Sequence, residues 1–212
     1  MRQILISQSI YYDEKKGTYY DYIDSRLVKI FHELGFKPLT ISNFFKYPEK
    51  YLKKLHIKGI VLSGGSDIGK FPLRDKNEIK LISLGIKKKI PLLGICRGMQ
   101  IINHYFNGNL VKIDGHVRKK HVIENIFAKR KISVNSYHNY AINLKKLNKD
   151  LKPIFKCKKD GSIEAVLHKT KPIMGIMWHP EREKKLKKFD REIIQQFLLK
   201  FGELRKKYYE KI

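Results

Sequence analysis

Cysteine is scarce in this chain of 212 residues: Cys96 and Cys157 are the only two, and their spacing matches neither a metal site nor a disulfide framework. That argues against a stapled secreted scaffold, and no metal and no cofactor are expected. Long apolar runs are lacking too; nothing approaches the roughly 18 consecutive apolar residues of a membrane span. The opening "MRQILISQSIYYDE" has one basic residue and meets acids by residue 13, the pattern of neither a signal peptide nor an anchor, so a cytoplasmic location is expected. Acids are few, 20 against 46 basic residues, for a formal charge of +26. Of the basic residues 37 are lysine and 9 arginine, spread along the whole chain. Nucleic-acid readers cluster their charge and favour arginine for bidentate contacts. A solvated lysine-rich surface that concentrates a small anionic substrate is the better reading, with neither nucleic acid nor membrane as partner.

What is present suits a buried core: 42% of residues are apolar and 11% aromatic. Strand and helix patterns alternate through the first half. "RQILIS" reads as a strand, and "SRLVKIFHELG" as a helix with Leu27, Ile30, Phe31 and Leu34 on one face and Gly35 as its stop. "KPLTIS" is a second strand, "YLKKLHIK" a short helix and "GIVLS" a buried strand. "DKNE", from Asp75 to Glu78, reads as a capping box opening the next helix. The strand "IPLLGI" and the helix "RGMQIINHYFNG" follow. The second half is richer in strand, with a hairpin tip at Asp160-Gly161, and a terminal helix carries Phe189, Ile193, Phe197, Phe201, Leu204 and Tyr208 on one stripe. The expectation is an α/β fold in one domain, residues 1–212: a mostly parallel central sheet, helices on both faces and a strand-rich second half.

Cys96 sits between Gly94 and Gly98 where a strand turns into a helix. Such a cysteine is a tight turn, half of a metal or redox pair, or a nucleophile on a strained elbow. The small neighbours and the helix start favour the elbow, with the positive helix end stabilising sulfur anion and the Arg97 N–H facing a developing oxyanion. A nucleophile needs a base. His179, in "MGIMWHPERE", ends an apolar strand, and Glu181 two residues on would share its face and hold the imidazole. His32, His56, His104 and His168 carry no such partner pattern and read as ordinary surface or core histidines. In "VLSGGSD", Gly64 and Gly65 close a central strand, where parallel sheets place ligands, and offer unobstructed backbone N–H groups.

Together "LSGGSD", "PLLGICRGMQIIN", "VNSYHNYAI", "DGSIEA" and "GIMWHPERE" resemble the class I glutamine amidotransferase fold, and within it the free-standing γ-glutamyl hydrolases such as the γ-glutamyl-GABA hydrolases. The resemblance spans residues 57 to 183. It implies Cys96 as nucleophile, His179 as base and then acid, and Glu181 as orienting carboxylate. It also implies an oxyanion hole from the N–H groups of Gly65 and Arg97, beside Gly64. Gln100 would hold the glutamyl end, and Ser136, Tyr137 and His138 would meet its α-amino and α-carboxylate groups. Two departures, Asn139-Tyr140 in place of a histidine and a glutamine and the short "IGKFPL" loop, fall where the leaving group would lie.

The reaction implied is attack on a γ-glutamyl carbonyl, loss of an amine or phosphoramidate, and hydrolysis of the thioester to glutamate. The charge and short loop point to an anionic leaving group, with Arg118, Lys119 and Lys120 as candidate contacts. A glutaminase subunit feeding a partner synthetase is the second reading, and a basic binding protein with an idle site the third. The intact catalytic positions count against the last.

Overall fold

The computed structural model describes residues 1–45, 48–52 and 55–209. In chain order its elements are β1 (Arg2–Ser7), β2 (Ser9–Asp13), β3 (Thr18–Tyr22), α1 (Ser25–Glu33), β4 (Phe36–Ile41), α2 (Pro48–Leu52) and β5 (Ile57–Leu62). Then come α3 (Pro72–Lys88), β6 (Leu92–Ile95), α4 (Arg97–Tyr105), β7 (Val111–Lys112), β8 (Val117–Asn125) and β9 (Lys131–Tyr137). The last are β10 (Tyr140–Ala141), β11 (Leu151–Cys157), β12 (Ile163–His168), β13 (Ile173–Ile176) and α5 (Lys188–Tyr209).

Nine strands form the central sheet in the order β4-β1-β5-β6-β13-β12-β11-β8-β9. The five from β4 to β13 run parallel, and from β13 through β9 each neighbour is antiparallel. Alternation along β5 shows why the parallel part is apolar throughout. Gly59 faces Leu198 of α5, while the next residue, Ile60, meets Gly85 of α3, so helices cover both faces. β6 and β12 are buried along their whole lengths. In α1, Leu27, Ile30 and Phe31 turn inward, each burial contributing about 1.5–3 kcal/mol, and the Asp24 side chain caps the helix by accepting from Arg26 N at 2.9 Å.

Three local expectations change. The helix α3 opens at Pro72, a turn before the anticipated capping box, because proline suits a first helical position; Asp75 and Glu78 are occupied elsewhere. The helix expected over "YLKKLHIK" lies earlier, at Pro48–Leu52; Lys53 and Lys54 lie outside the described residues, and Ile57 already belongs to β5. The β2–β3 hairpin was not anticipated. Its tyrosines stack in cross-strand pairs, Tyr11 with Tyr20 at 5.1 Å and Tyr12 with Tyr19 at 4.8 Å, which holds together a ribbon lacking an alternating apolar pattern.

Candidate active site

Cys96 lies between the end of β6 and the start of α4 with φ +52° and ψ −106°, a conformation costing a non-glycine residue about 1–3 kcal/mol. Its neighbours hold it there. Cys96 N donates to the Ile176 carbonyl at 2.7 Å, and its own carbonyl accepts from Met99 N at 2.9 Å. Gly94 and Gly98 are obligatory for close approach. A Cβ on Gly98 would stand 2.2 Å from the Leu62 carbonyl oxygen, and one on Gly94 2.4 Å from Gly98 itself. Arg97 opens α4, so no helical carbonyl reaches its N–H.

His179 comes from the neighbouring strand. β13 pairs with β6 in parallel register, Gly175 with Gly94 and Ile176 with Ile95, so the chain leaving β13 runs beside the elbow. Asn135 of β9 clamps the histidine backbone, donating to His179 O at 2.8 Å and accepting from His179 N at 2.9 Å. Glu181 Oε1 accepts from His179 Nδ1 at 2.5 Å, which puts the proton on Nδ1 and leaves Nε2 for the Cys96 sulfur. Pairing with Glu181 was expected on strand alternation, but β13 stops at Ile176 and Glu181 stands on a 3-10 turn, Pro180–Arg182. Burial alone would lower the imidazole; the Cys96 sulfur and the Glu181 carboxylate outweigh it and push it up to about 9.

That shift has a consequence for stability. A histidine whose folded pKa is raised contributes stability that is complete below its unfolded value near 6.5 and lost as pH rises through about 9. The unfolding free energy of the native protein, compared with His179→Asn by urea titration, should narrow by on the order of 3 kcal/mol between pH 6.5 and 9.5. A difference constant with pH would show that the imidazole is not held charged.

Gly64 and Gly65 border the same ring. A Cβ on Gly64 would sit 2.7 Å from His179 Cε1, and Gly65 has φ +142°. The orientation of this loop comes from Arg74 of α3, a side chain with no exposure, whose Nη2 donates to the carbonyls of Ser63 and Gly64, both at 2.9 Å. In a trans peptide the N–H points opposite to the carbonyl, so this grip turns the Gly65 N–H away from Arg74. Arg74 and Arg97 share one fully buried carboxylate, Glu78. Its Oε1 accepts from Arg74 Nε at 3.1 Å and from Ser7 Oγ at 2.8 Å, and Oε2 pairs with Arg97. Asp75 pairs with Arg97 as well. Burial works against ionised Glu78, but Arg74 and Arg97 outweigh it and hold its pKa below the usual carboxylate value. Arg74, Glu78 and Asn135 were missed as site residues, because "DKNE" reads as a capping box and an asparagine in a strand has no distinctive spacing.

Gln100 is buried, and its amide nitrogen donates to the Tyr140 carbonyl at 2.9 Å, leaving its amide oxygen for a ligand N–H. The Ser136–His138 stretch divides. Tyr137 meets His179 edge-on at 5.7 Å, while Ser136 and His138 turn their side chains into a buried polar cluster with His116. Lys119 and Lys120 pair in register with Ser136 and Asn135, and Arg118 occupies a bulge with φ +52°; all three are exposed. A pocket of about 100 Å³ lined by Ser9, Tyr22, Gly64, Gly65 and His179 reaches Glu181 and Arg182. These last two also border a cavity of about 760 Å³ carrying Arg26, Lys29, Lys184, Lys185 and Arg191.

Known proteins resemble this chain in sequence and in fold. The family described as "Glutamine amidotransferase class-I" matches residues 18–201. The "Gamma-glutamyl-CDP-amidate hydrolase" of Campylobacter jejuni is 43% identical over 155 residues, covering 70% of this chain and 73% of that protein. "Anthranilate synthase component 2" of Cyanophora paradoxa is 31% identical over 191 residues, 84% of this chain and 94% of its own. The crystal structure of a glutamine amidotransferase from Thermotoga maritima superposes with a TM-score of 0.64 at 19% identity, covering 99% of this chain and 86% of that one, which shows the shared fold.

Proposed function

Because the chain belongs to the class-I glutamine amidotransferase family, we propose that it hydrolyses a γ-glutamyl amide through a Cys96 thioester. His179, held as the imidazolium between Glu181 and the sulfur, already carries the Cys96 proton on Nε2, so the sulfur attacks the γ-carbonyl as an anion, and the N–H groups of Gly65 and Arg97 receive the oxyanion. When the tetrahedral adduct collapses, the C–N bond breaks and His179 returns the proton to the departing nitrogen. Water, deprotonated by His179, then attacks the thioester; the C–S bond breaks, glutamate leaves, and the sulfur anion is again paired with the protonated imidazole. Glu181 holds the imidazole throughout. Gln100 meets the glutamyl α-amino group through its amide oxygen, with Gly64 and the backbone of Ser136, Tyr137 and His138 completing that end. The observation that carries this reading is the 2.5 Å His179–Glu181 pair set beside the Cys96 elbow.

For the leaving group we favour a nucleotide phosphoramidate: γ-L-glutamyl-CDP-amidate cleaved to cytidine diphosphoramidate and glutamate. The 43% identity to an enzyme of that name supports this, as does the basic cavity reached through Arg182. On this reading the whole chain acts as one cytoplasmic hydrolase domain in the synthesis of capsular polysaccharide phosphoramidate, with Arg118, Lys119 and Lys120 as further anion contacts. A glutaminase subunit is the second reading, since the synthase component of Cyanophora is also similar. Hydrolysis of small γ-glutamyl-amines is the third.

Purified protein should be offered glutamine, γ-glutamyl-GABA, a folyl polyglutamate and γ-glutamyl-CDP-amidate. The expected result is a kcat/KM for the phosphoramidate at least about 100-fold above the others, a difference of roughly 2.7 kcal/mol in transition-state binding. Turnover of glutamine alone near the enzyme median of ~10 per second would overturn the phosphoramidate assignment in favour of the glutaminase.

A further inference from the structure

A second cluster of titratable side chains lies inside the protein where β8, β9 and β12 meet, and the hydrolysis above makes no use of it. His116, Ser136, His138 and Glu164 are all buried. Their hydrogen-bond partners fix where the lone pairs point. His138 Nδ1 lies 3.0 Å from the Tyr140 carbonyl, which only accepts, so the proton is on Nδ1 and Nε2 offers a lone pair. His116 Nε2 lies 2.7 Å from Asp160 Oδ2. The same carboxylate accepts from Ser162 N through Oδ1 at 2.9 Å, so it faces both neighbours as an acceptor, and His116 donates from Nε2 and offers its lone pair on Nδ1.

The two lone pairs therefore face each other, His116 Nδ1 and His138 Nε2 being 3.3 Å apart. Glu164 Oε1 completes the triangle, 3.7 Å from His138 Nε2 and 4.0 Å from His116 Nδ1. His121 Nε2 stands 3.2 Å from the other oxygen, Oε2, yet neither oxygen of this carboxylate makes a well-formed hydrogen bond. Apart from the Ser136 hydroxyl, 3.4 Å from His116 Nδ1, these acceptors face one another, and both Glu164 oxygens are left without a well-formed bond, which is costly at low dielectric unless a cation lies between them. Atoms spaced 3.3, 3.7 and 4.0 Å share a point about 2.1 Å from each, the length of zinc bonds to imidazole nitrogen and carboxylate oxygen.

We propose that His116 Nδ1, His138 Nε2 and Glu164 Oε1 form a divalent transition-metal site of the zinc type, separate from Cys96. The Ser136 hydroxyl, 3.4 Å from His116 Nδ1, or a water takes the fourth position. The outer contacts fit, because metal-bound histidines donate their second N–H to a carboxylate or a carbonyl, here Asp160 and Tyr140. An alternative trio, His116, His121 and Cys157, is geometrically close. The carboxylate trio is the better set, because both Glu164 oxygens are buried without a hydrogen-bond partner. An ion here joins β9, β12 and the turn bearing Asp160, and so stiffens the strand that carries Ser136, Tyr137 and His138 past the catalytic histidine.

The test uses the full-length protein, stripped with a chelator and titrated with Co²⁺ and then Zn²⁺. One Co²⁺ per chain should give ligand-field bands without a thiolate charge-transfer band. Zn²⁺ should displace it and raise the unfolding midpoint by about 5 °C or more. Glu164→Gln and His138→Gln should each weaken Zn²⁺ binding at least about 100-fold, whereas Cys157→Ser and Cys96→Ala stay within about threefold. The proposal is overturned if the native protein binds no ion, if the Co²⁺ spectrum shows thiolate, if affinity is lost in Cys96→Ala, or if Glu164→Gln binds as tightly as the native chain. Should the Glu164 and His138 variants not fold, the native Co²⁺ spectrum and stoichiometry decide.

Discussion

Cys96→Ala should lower γ-glutamyl hydrolysis by at least about 10⁴-fold, equivalent to roughly 5.4 kcal/mol of transition-state stabilisation. Alanine keeps the backbone of the elbow but offers no atom to form the acyl intermediate. Binding and the oxyanion donors remain and set the residual rate. The substitution removes a single sulfur from a site with 5% exposure, so circular dichroism should stay native, while the urea midpoint at neutral pH should fall because that sulfur helps hold the His179 imidazole charged. The assay is single-turnover release of glutamate from γ-glutamyl-CDP-amidate or glutamine, whichever the native enzyme prefers, with mass spectrometry for the trapped thioester. Retention of more than about one per cent of native activity would remove Cys96 from the mechanism, and the roles of His179 and Glu181 with it.

The second large effect is on stability. Glu78→Ala leaves Arg74 without a carboxylate and takes one of two from Arg97, in a region with no access to water. Removing one partner of a buried ion pair costs about 3–5 kcal/mol, because the remaining charge stays desolvated. For a chain of this length that lowers the thermal midpoint by about 8–15 °C. Glu78→Gln should lose somewhat less. Asp75→Asn should lose about 1 kcal/mol, since the Asp75 side chain is 14% exposed and Arg97 keeps Glu78. Scanning calorimetry of the three variants checks the order. A loss under about 1 kcal/mol for Glu78→Ala would mean that the two guanidinium groups find other partners. On the proposed mechanism the survivors should also be slow catalysts, because Arg74 aims the Gly65 peptide and Arg97 carries the other proposed oxyanion donor.

Much of the site was legible because its chemistry is written in short local spacings. Gly94, Cys96, Gly98 and Gln100 lie within one strand-to-helix junction, and His179 and Glu181 within one turn. The alternation of strands and helices revealed the parallel part of the sheet for the same reason. What escaped depends on distance in sequence. The Glu78 network joins Ser7, Arg74 and Arg97, and residues so spaced look like surface charge until the fold brings them together. The β2–β3 hairpin escaped differently. Its strands are held by tyrosine pairing across the ribbon, and a single strand of such a pair shows neither a helical nor an alternating apolar period.

The parallel pairing of β6 with β13 also bears on the synthesis of the chain. The cysteine is made long before the histidine, since β6 emerges from the ribosome well ahead of β13. Until the later strand slots between β6 and β12, the thiol has no histidine beside it. On the proposed mechanism a half-made chain is therefore idle toward γ-glutamyl compounds. Reactivity arrives in one step, when the middle of the sheet closes.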